Sequence, residues 1–206
     1  EKAENFASWQ GLSAEQKVTG LASHKASITG SRAGSNDGPT YLPHRAYPTI
    51  QLHKTEGGGF SAPCLVSFYT YLDMNLQDRP QGSIDDWFSF ATLGPDPGDG
   101  WTRTVLVNIV HEGYLFLEHV PVQGKHIRSF QADSSNDPSG ALKFPHREWV
   151  RIDIYIDFAP DEGCARVWQN GFLVSAAEVS GGRGKLEQAH FGLYASAAID
   201  AGVIYN

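Results

Sequence analysis

The chain has 206 residues, of which 41% are hydrophobic, 12% aromatic and 19% charged, and it carries a formal net charge of −7. No run of Lys or Arg occurs, which argues against a nucleic-acid surface, and no apolar stretch approaches the ~18 residues of a spanning helix. The 22 glycines and 11 prolines suit many short strands joined by turns better than a helical bundle. A single domain over residues 1–206 is expected, with 1–46 a poorly defined strand and loop region. The opening "EKAENFASWQ" does not read as a secretory leader, since it lacks a charged start followed by an apolar core.

In chain order, "SAEQKVTGL" predicts a short peripheral helix, with Ser13 as N-cap and Gln16 three residues on completing a capping box. "HKASITGSRAGSNDGP" reads as a short strand and a long loop. From residue 47 the pattern is β throughout. "TIQLHK" alternates as a strand, which places Gln51 and His53 on one face. "APCLVSFYTYLDM" is a long strand with Val66, Phe68 and Leu72 on one side and Ser67, Tyr69, Tyr71 and Asp73 on the other. "NLQDRPQGSIDD" is a loop, "WFSFATL" a strand and "GPDPGDG" a breaker. "TRTVLVNIV" and "GYLFLEHVP" form a hairpin around His111 and Glu112, and "HIRSFQ" is a short strand in a region that is otherwise loop.

"EWVRIDIYIDF" has the cleanest alternation, with Val150, Ile152, Ile154, Ile156 and Phe158 on one face. In "CARVWQNGFLVSAAEV", Asn170-Gly171 is the favoured pair for a two-residue type I′ hairpin. "AHFGLYAS" and "AGVIYN" close the chain. Ten to twelve strands with turns at short spacing and no βαβ alternation predict a sandwich of two antiparallel sheets. Cys64 and Cys164 read as two buried thiols, with a disulfide as the alternative, and their spacing matches no metal motif.

The last third has a recognisable order: a Trp-led amphipathic strand, a hairpin turning at Asn-Gly, "LEQAHFGLYAS", then "AGVIYN". It resembles the C-terminal half of concanavalin A-like lectin/glucanase sandwiches, including jelly-roll polysaccharide lyases. The resemblance covers residues 148–206 clearly and 47–120 loosely. It implies an all-β jelly-roll sandwich in which one curved sheet holds polysaccharide on its concave face. Lyases of the alginate type carry a Gln-x-His pair and a Tyr there. "QLH" gives Gln51 and His53 at that spacing, and "FGLY" gives Tyr194, although here the pair precedes the long "LVSFYTYLDM" strand and in those lyases it comes later. An Arg-x-Glu strand is missing. The glucanase signature of alternating acids is also absent, since "FLEHV" has a single acid.

The resemblance implies a secreted or periplasmic protein that acts on polysaccharide, most specifically a lyase cleaving a uronate polymer by β-elimination. A non-catalytic carbohydrate-binding domain is the alternative. Gln51, His53, His190 and Tyr194 are the candidate catalytic residues. Arg45, Tyr69, Tyr71, Trp87, Trp101, Asn108, Glu118, Arg151 and Tyr155 are candidates for binding sugar. Parity along a strand does not say which sheet each one joins. Trp149 and Trp168 are expected to pack structurally. The lyase chemistry requires no cofactor. Asp96 and Asp99 in the breaker loop read as solvated, with calcium as the alternative.

Overall fold

The structure, a computed structural model, describes residues 7–30, 43–74, 87–97, 102–110, 113–131, 142–196, 199 and 201–206. The strands of the back sheet are β1 (Ala7–Ser13), β2 (Ser23–Thr29), β6 (Cys64–Asp73), β11 (Trp149–Asp157), β12 (Gly163–Gln169), β13 (Phe172–Val179) and β16 (Ala201–Tyr205). Their order is β1-β2-β16-β6-β11-β12-β13. The front sheet contains β3 (His44–Ala46), β4 (Thr49–Ile50), β7 (Phe88–Gly94), β8 (Val105–Ile109), β9 (Leu115–His119), β10 (Ile127–Phe130) and β15 (Gln188–Ala195). Its order is β10-β9-β8-β7-β15-β3, and β4 also pairs with β15. A two-stranded ribbon joins β5 (Phe60–Ser61) to β14 (Lys185–Leu186).

Neighbouring strands in both large sheets run antiparallel. The chain is therefore an all-β, two-sheet antiparallel jelly-roll sandwich.

Period-2 patterning explains the back sheet. Val150, Ile152, Ile154 and Ile156 are fully buried, while Trp149, Arg151, Asp153, Tyr155 and Asp157 between them point outward. One apolar cluster spans both sheets. Phe68 of the back sheet meets Phe90 and Phe191 of the front sheet at centroid distances of 6.1 and 5.0 Å. Asn170 and Gly171 have φ of 50° and 85°, as a type I′ hairpin needs. Cys64 lies opposite Ile156 and packs inward, whereas Cys164 lies opposite Asp157 and points outward. The two thiols are free and sit on opposite faces of their sheet.

Two local expectations are corrected. Residues 13–21 form no helix. They follow β1 as a turn in which the Glu15 N–H donates to Ser13 Oγ at 3.2 Å and the Ser23 hydroxyl donates to the Gln16 carbonyl at 2.5 Å. A helix there would have no apolar stripe to bury, since Val18 and Leu21 are 42% and 89% exposed. "TIQLHK" is a strand only over Thr49–Ile50, and Leu52–Lys54 is a 3-10 turn. Thr55 closes that turn by donating its hydroxyl to the Leu52 carbonyl at 2.6 Å. Leu52 still packs on the core, so the apolar spacing that suggested a strand is kept by a different backbone.

Candidate functional site on the front sheet

The front sheet differs from the back sheet in burying both of its faces. Every residue of β7, β8 and β9 is buried, whereas β11 and β12 alternate. Val105, Val107, Ile109, Leu115 and Leu117 belong to the core. The other face carries Ser89, Thr92, Asn108, Glu118 and His190, each no more than 6% exposed. Burying that many polar groups costs free energy unless each finds a partner.

Register builds this floor. Tyr194 lies opposite Ser89, which lies opposite Asn108. One row along, His190 lies opposite Thr92, then come Leu106, Glu118 and Arg128. Arg45 on β3 is opposite Tyr194, and Thr49 on β4 is opposite His190. Bulges between Ser89 and Ala91 and between Phe191 and Tyr194 keep Tyr194 on the same face as His190 and Asn108.

Glu118 is the centre of the polar contacts. Asn108 Nδ2 donates to its Oε2 at 2.7 Å. His126 Nδ1 at 2.8 Å and Arg128 Nε at 3.3 Å donate to Oε1. Asn108 Oδ1 is buried without a partner among the described residues. Its free lone pairs suit a donor brought by a ligand.

An aromatic rim stands over the floor. The Tyr47 ring stacks on His190 at 4.6 Å and meets Tyr194 edge-on at 6.1 Å, and Trp87 lies 5.1 Å from Tyr194. Gly192 permits this closeness. Its φ is +135°, and a Cβ there would lie 2.4 Å from the Ala46 carbonyl. Burial pushes the Tyr194 hydroxyl pKa up, the Arg45 charge opposes this and the Glu118 charge adds to it. Tyr194 is therefore a neutral proton donor at ordinary pH.

Of the candidates, the structure brings together His190, Tyr194, Arg45, Trp87, Asn108 and Glu118. Gln51 and His53 lie elsewhere. Gln51 is exposed at the start of the 3-10 turn, and His53 is tied to the Glu187 carbonyl through its backbone N–H at 2.9 Å and its ring at 3.2 Å. Neither bonds to His190 or Tyr194 among the described residues. Tyr69, Tyr71, Arg151 and Tyr155 are on the outward face of the back sheet, across the core from the floor. Trp101, Asp99, His111 and Glu112 lie outside the described residues. The Asp96 carboxylate sits between Arg103 at 2.9 Å and Arg183 at 3.2 Å.

Tyr47, His126 and Arg128 were missed. The alternation in "HIRSFQ" puts His126 and Arg128 on one face and was a usable signal. Nothing in the residues around Tyr47 announced a ring stack.

A cavity of about 260 Å³ opens elsewhere, among Ile50, Leu52, Phe60, Leu65 and Phe191. Its walls are apolar, and among the described residues its one ionisable group is the Cys64 thiol, whose pKa burial pushes up. Among the described residues it brings no acid–base pair together, whereas the polar floor does.

No protein-family model and no curated protein matches the chain. Solved structures do. The endo-β-1,4-glucuronan lyase of the fungus Trichoderma reesei aligns over 100% of this chain and 87% of its own at 15% identity, with a TM-score of 0.65. The cellulose induced protein Cip1 aligns over 98% and 83% at 13% identity, with a TM-score of 0.55. The binding domain of Paraclostridial Mosquitocidal Protein 1 aligns over 96% of this chain and 41% of its own at 13% identity, with a TM-score of 0.55. At these identities the likeness is one of fold, the two-sheet jelly-roll sandwich expected from the last third of the sequence.

Proposed function

We propose that the polar floor of the front sheet binds polysaccharide and cleaves a uronate-containing polymer by β-elimination. The observation that carries this reading is the convergence of His190, Tyr194 and Arg45 on one face beside the Tyr47 and Trp87 rings. His190 takes the proton from C5 of the uronate. Arg45 and Arg128 neutralise the sugar carboxylate, and Asn108 adds an amide, so the enolate-like charge is stabilised as it forms. Tyr194 gives its proton to the departing glycosidic oxygen as the C4–O bond breaks and the C4–C5 double bond forms. The step as written needs no cofactor. The fold shared with a glucuronan lyase supports the choice of chemistry as analogy. From a polymeric substrate of this kind we infer a protein that works outside the cytoplasm, secreted or periplasmic.

A binding-only reading is favoured by one observation. The Gln51 and His53 pair that would match the alginate-type site lies off the floor, on its 3-10 turn. One assay separates the two. The protein is incubated with alginate, glucuronan, pectate and glycosaminoglycans while the far-ultraviolet absorbance of the unsaturated uronate is followed. A rise that His190→Ala and Tyr194→Phe abolish, with melting temperature held, supports the lyase. A flat trace on every polymer with retardation in affinity gels leaves the binding module. If neither signal appears, the carbohydrate reading of the floor falls.

A further inference from the structure

The outward face of the back sheet carries its own arrangement of aromatic and polar side chains. Tyr205, Tyr71 and Trp149 stand in one cross-strand row, with ring centroids 5.7 and 5.5 Å apart. The next row pairs Tyr69 with Arg151, and the next sets Ser67, Asp153 and Trp168 side by side. Tyr155 follows, with Arg166 over its ring at 6.0 Å.

Asp153 is the hub. Its Oδ1 accepts from the Ser67 hydroxyl at 2.6 Å and from Arg151 Nε and Nη2 at 3.1 and 3.0 Å. Its Oδ2 accepts no hydrogen bond among the described residues, although the side chain is only 14% exposed. A mostly covered carboxylate with one oxygen held and one open, walled by Tyr69 and Trp168, is half of a binding site.

Charge decides what it takes. Arg151 is paired with Asp153, Arg147 with Asp73 and Lys25 with Glu15, and Arg166 shares the face with the outward carboxylates of Asp157 and Glu178, so these cations are matched by acids in place. On the front sheet, by contrast, Arg45, His126 and Arg128 face a single carboxylate among the described residues, Glu118. Among the described residues the back face therefore holds no surplus of positive charge to draw a polyanion, and an added uronate would meet the open oxygen of Asp153 as a like charge. A neutral sugar fits both features. Its hydroxyl donates to Oδ2, and the apolar face of its ring packs on tyrosine or tryptophan.

We propose that this face is a second glycan-binding surface, centred on Asp153 with Arg151, Tyr69, Trp168 and Tyr155, and that its ligand is a neutral polysaccharide. The two sheets then divide the work, with the back face anchoring the protein on a neutral glycan and the front face engaging a charged one. The back face does not need the front-sheet reading to be right.

The test is affinity electrophoresis of the whole chain in gels containing hydroxyethyl cellulose or xylan, with alginate and glucuronan gels run beside them. The wild type is expected to be retarded by at least one neutral glycan. Tyr69→Ala/Trp168→Ala is expected to weaken that affinity at least tenfold while its behaviour on the uronate polymers stays that of the wild type. Asp153→Asn keeps an oxygen for Ser67 and Arg151, guards against a folding defect in the double variant, and should also weaken retardation severalfold. His190→Ala should leave it intact. Unretarded wild type in both neutral gels overturns the proposal, as does equal retardation of wild type and both back-face variants. A neutral-gel shift with flat absorbance on uronates would sink the lyase reading and leave this one standing.

Discussion

The rings of Tyr47 and His190 lie face to face, 4.6 Å apart with 14° between their planes. Tyr47 follows β3, whose Arg45 is opposite Tyr194, so one short edge segment sets both the imidazole and the phenol. Stacking fixes the plane in which the His190 nitrogens point. Tyr47→Leu is therefore expected to lower kcat on a cleaved uronate polymer by roughly ten- to a hundredfold with KM little changed. Tyr47→Phe keeps the stack and should restore kcat. Steady-state kinetics on both variants checks this, and equal losses in both would assign the role to the hydroxyl.

Glu118 acts on Tyr194 through space. Its negative charge disfavours the tyrosinate and so helps to raise the Tyr194 pKa, after burial. Glu118→Gln removes that charge and keeps an acceptor for Asn108. The Tyr194 pKa then falls. Because the proposed elimination uses the protonated phenol, the alkaline limb of the kcat profile should move to lower pH. The profile measured for both proteins settles it: an unmoved limb would take Tyr194 out of the acid role.

The back sheet was legible because it has one wet face. In "EWVRIDIYIDF" every second residue is apolar, and the structure buries those residues and turns the others out. The front sheet was harder to read because its polar face is buried too. "TVLVNIV" and "LFLEH" read as apolar runs in which Asn108 and Glu118 are isolated polar positions, and only pairing shows that they meet. Parity gave each strand a face but not a sheet, so Tyr69, Tyr71, Arg151 and Tyr155 were grouped with residues on the far side of the core. Ile50 and Leu52 keep strand spacing while the backbone between Leu52 and Lys54 turns as a 3-10 helix, which is why Gln51 and His53 looked like a floor pair.

Gly192 is where backbone geometry and site meet. Its φ of +135° is open only to glycine, and a methyl there would run into the Ala46 carbonyl at 2.4 Å. Gly192→Ala should cost about 2 kcal/mol from the backbone alone. In a chain of this size that corresponds to a melting temperature lower by roughly 4–8 °C. The clash also pushes β3 away, so turnover should fall more than stability explains. Circular dichroism melts and assays at a temperature where the variant is still folded separate the two effects.

His119 makes stability fall on the acid side. Its Nδ1–H donates to the Thr104 carbonyl at 3.1 Å, and Nε2 accepts from the Ser180 N–H at 3.1 Å, so one neutral tautomer is held. Burial lowers its pKa below the ordinary 6.5, the bond to the Thr104 carbonyl pushes the other way, and nearby His126 adds to the lowering. His24 is lowered too, by burial. The unfolded chain thus takes up protons first as pH drops. The stabilisation is fully present above about 6.5 and is lost as pH falls from there through the folded-state pKa. His119→Asn keeps the donor to Thr104 and removes the titration. It should melt lower than the wild type at pH 8, because the Ser180 N–H loses its acceptor, and its melting temperature should fall less between pH 7 and 5. His24 leaves a residual slope in both. Parallel melting curves over that range would show that His119 titrates alike in the folded and unfolded chains.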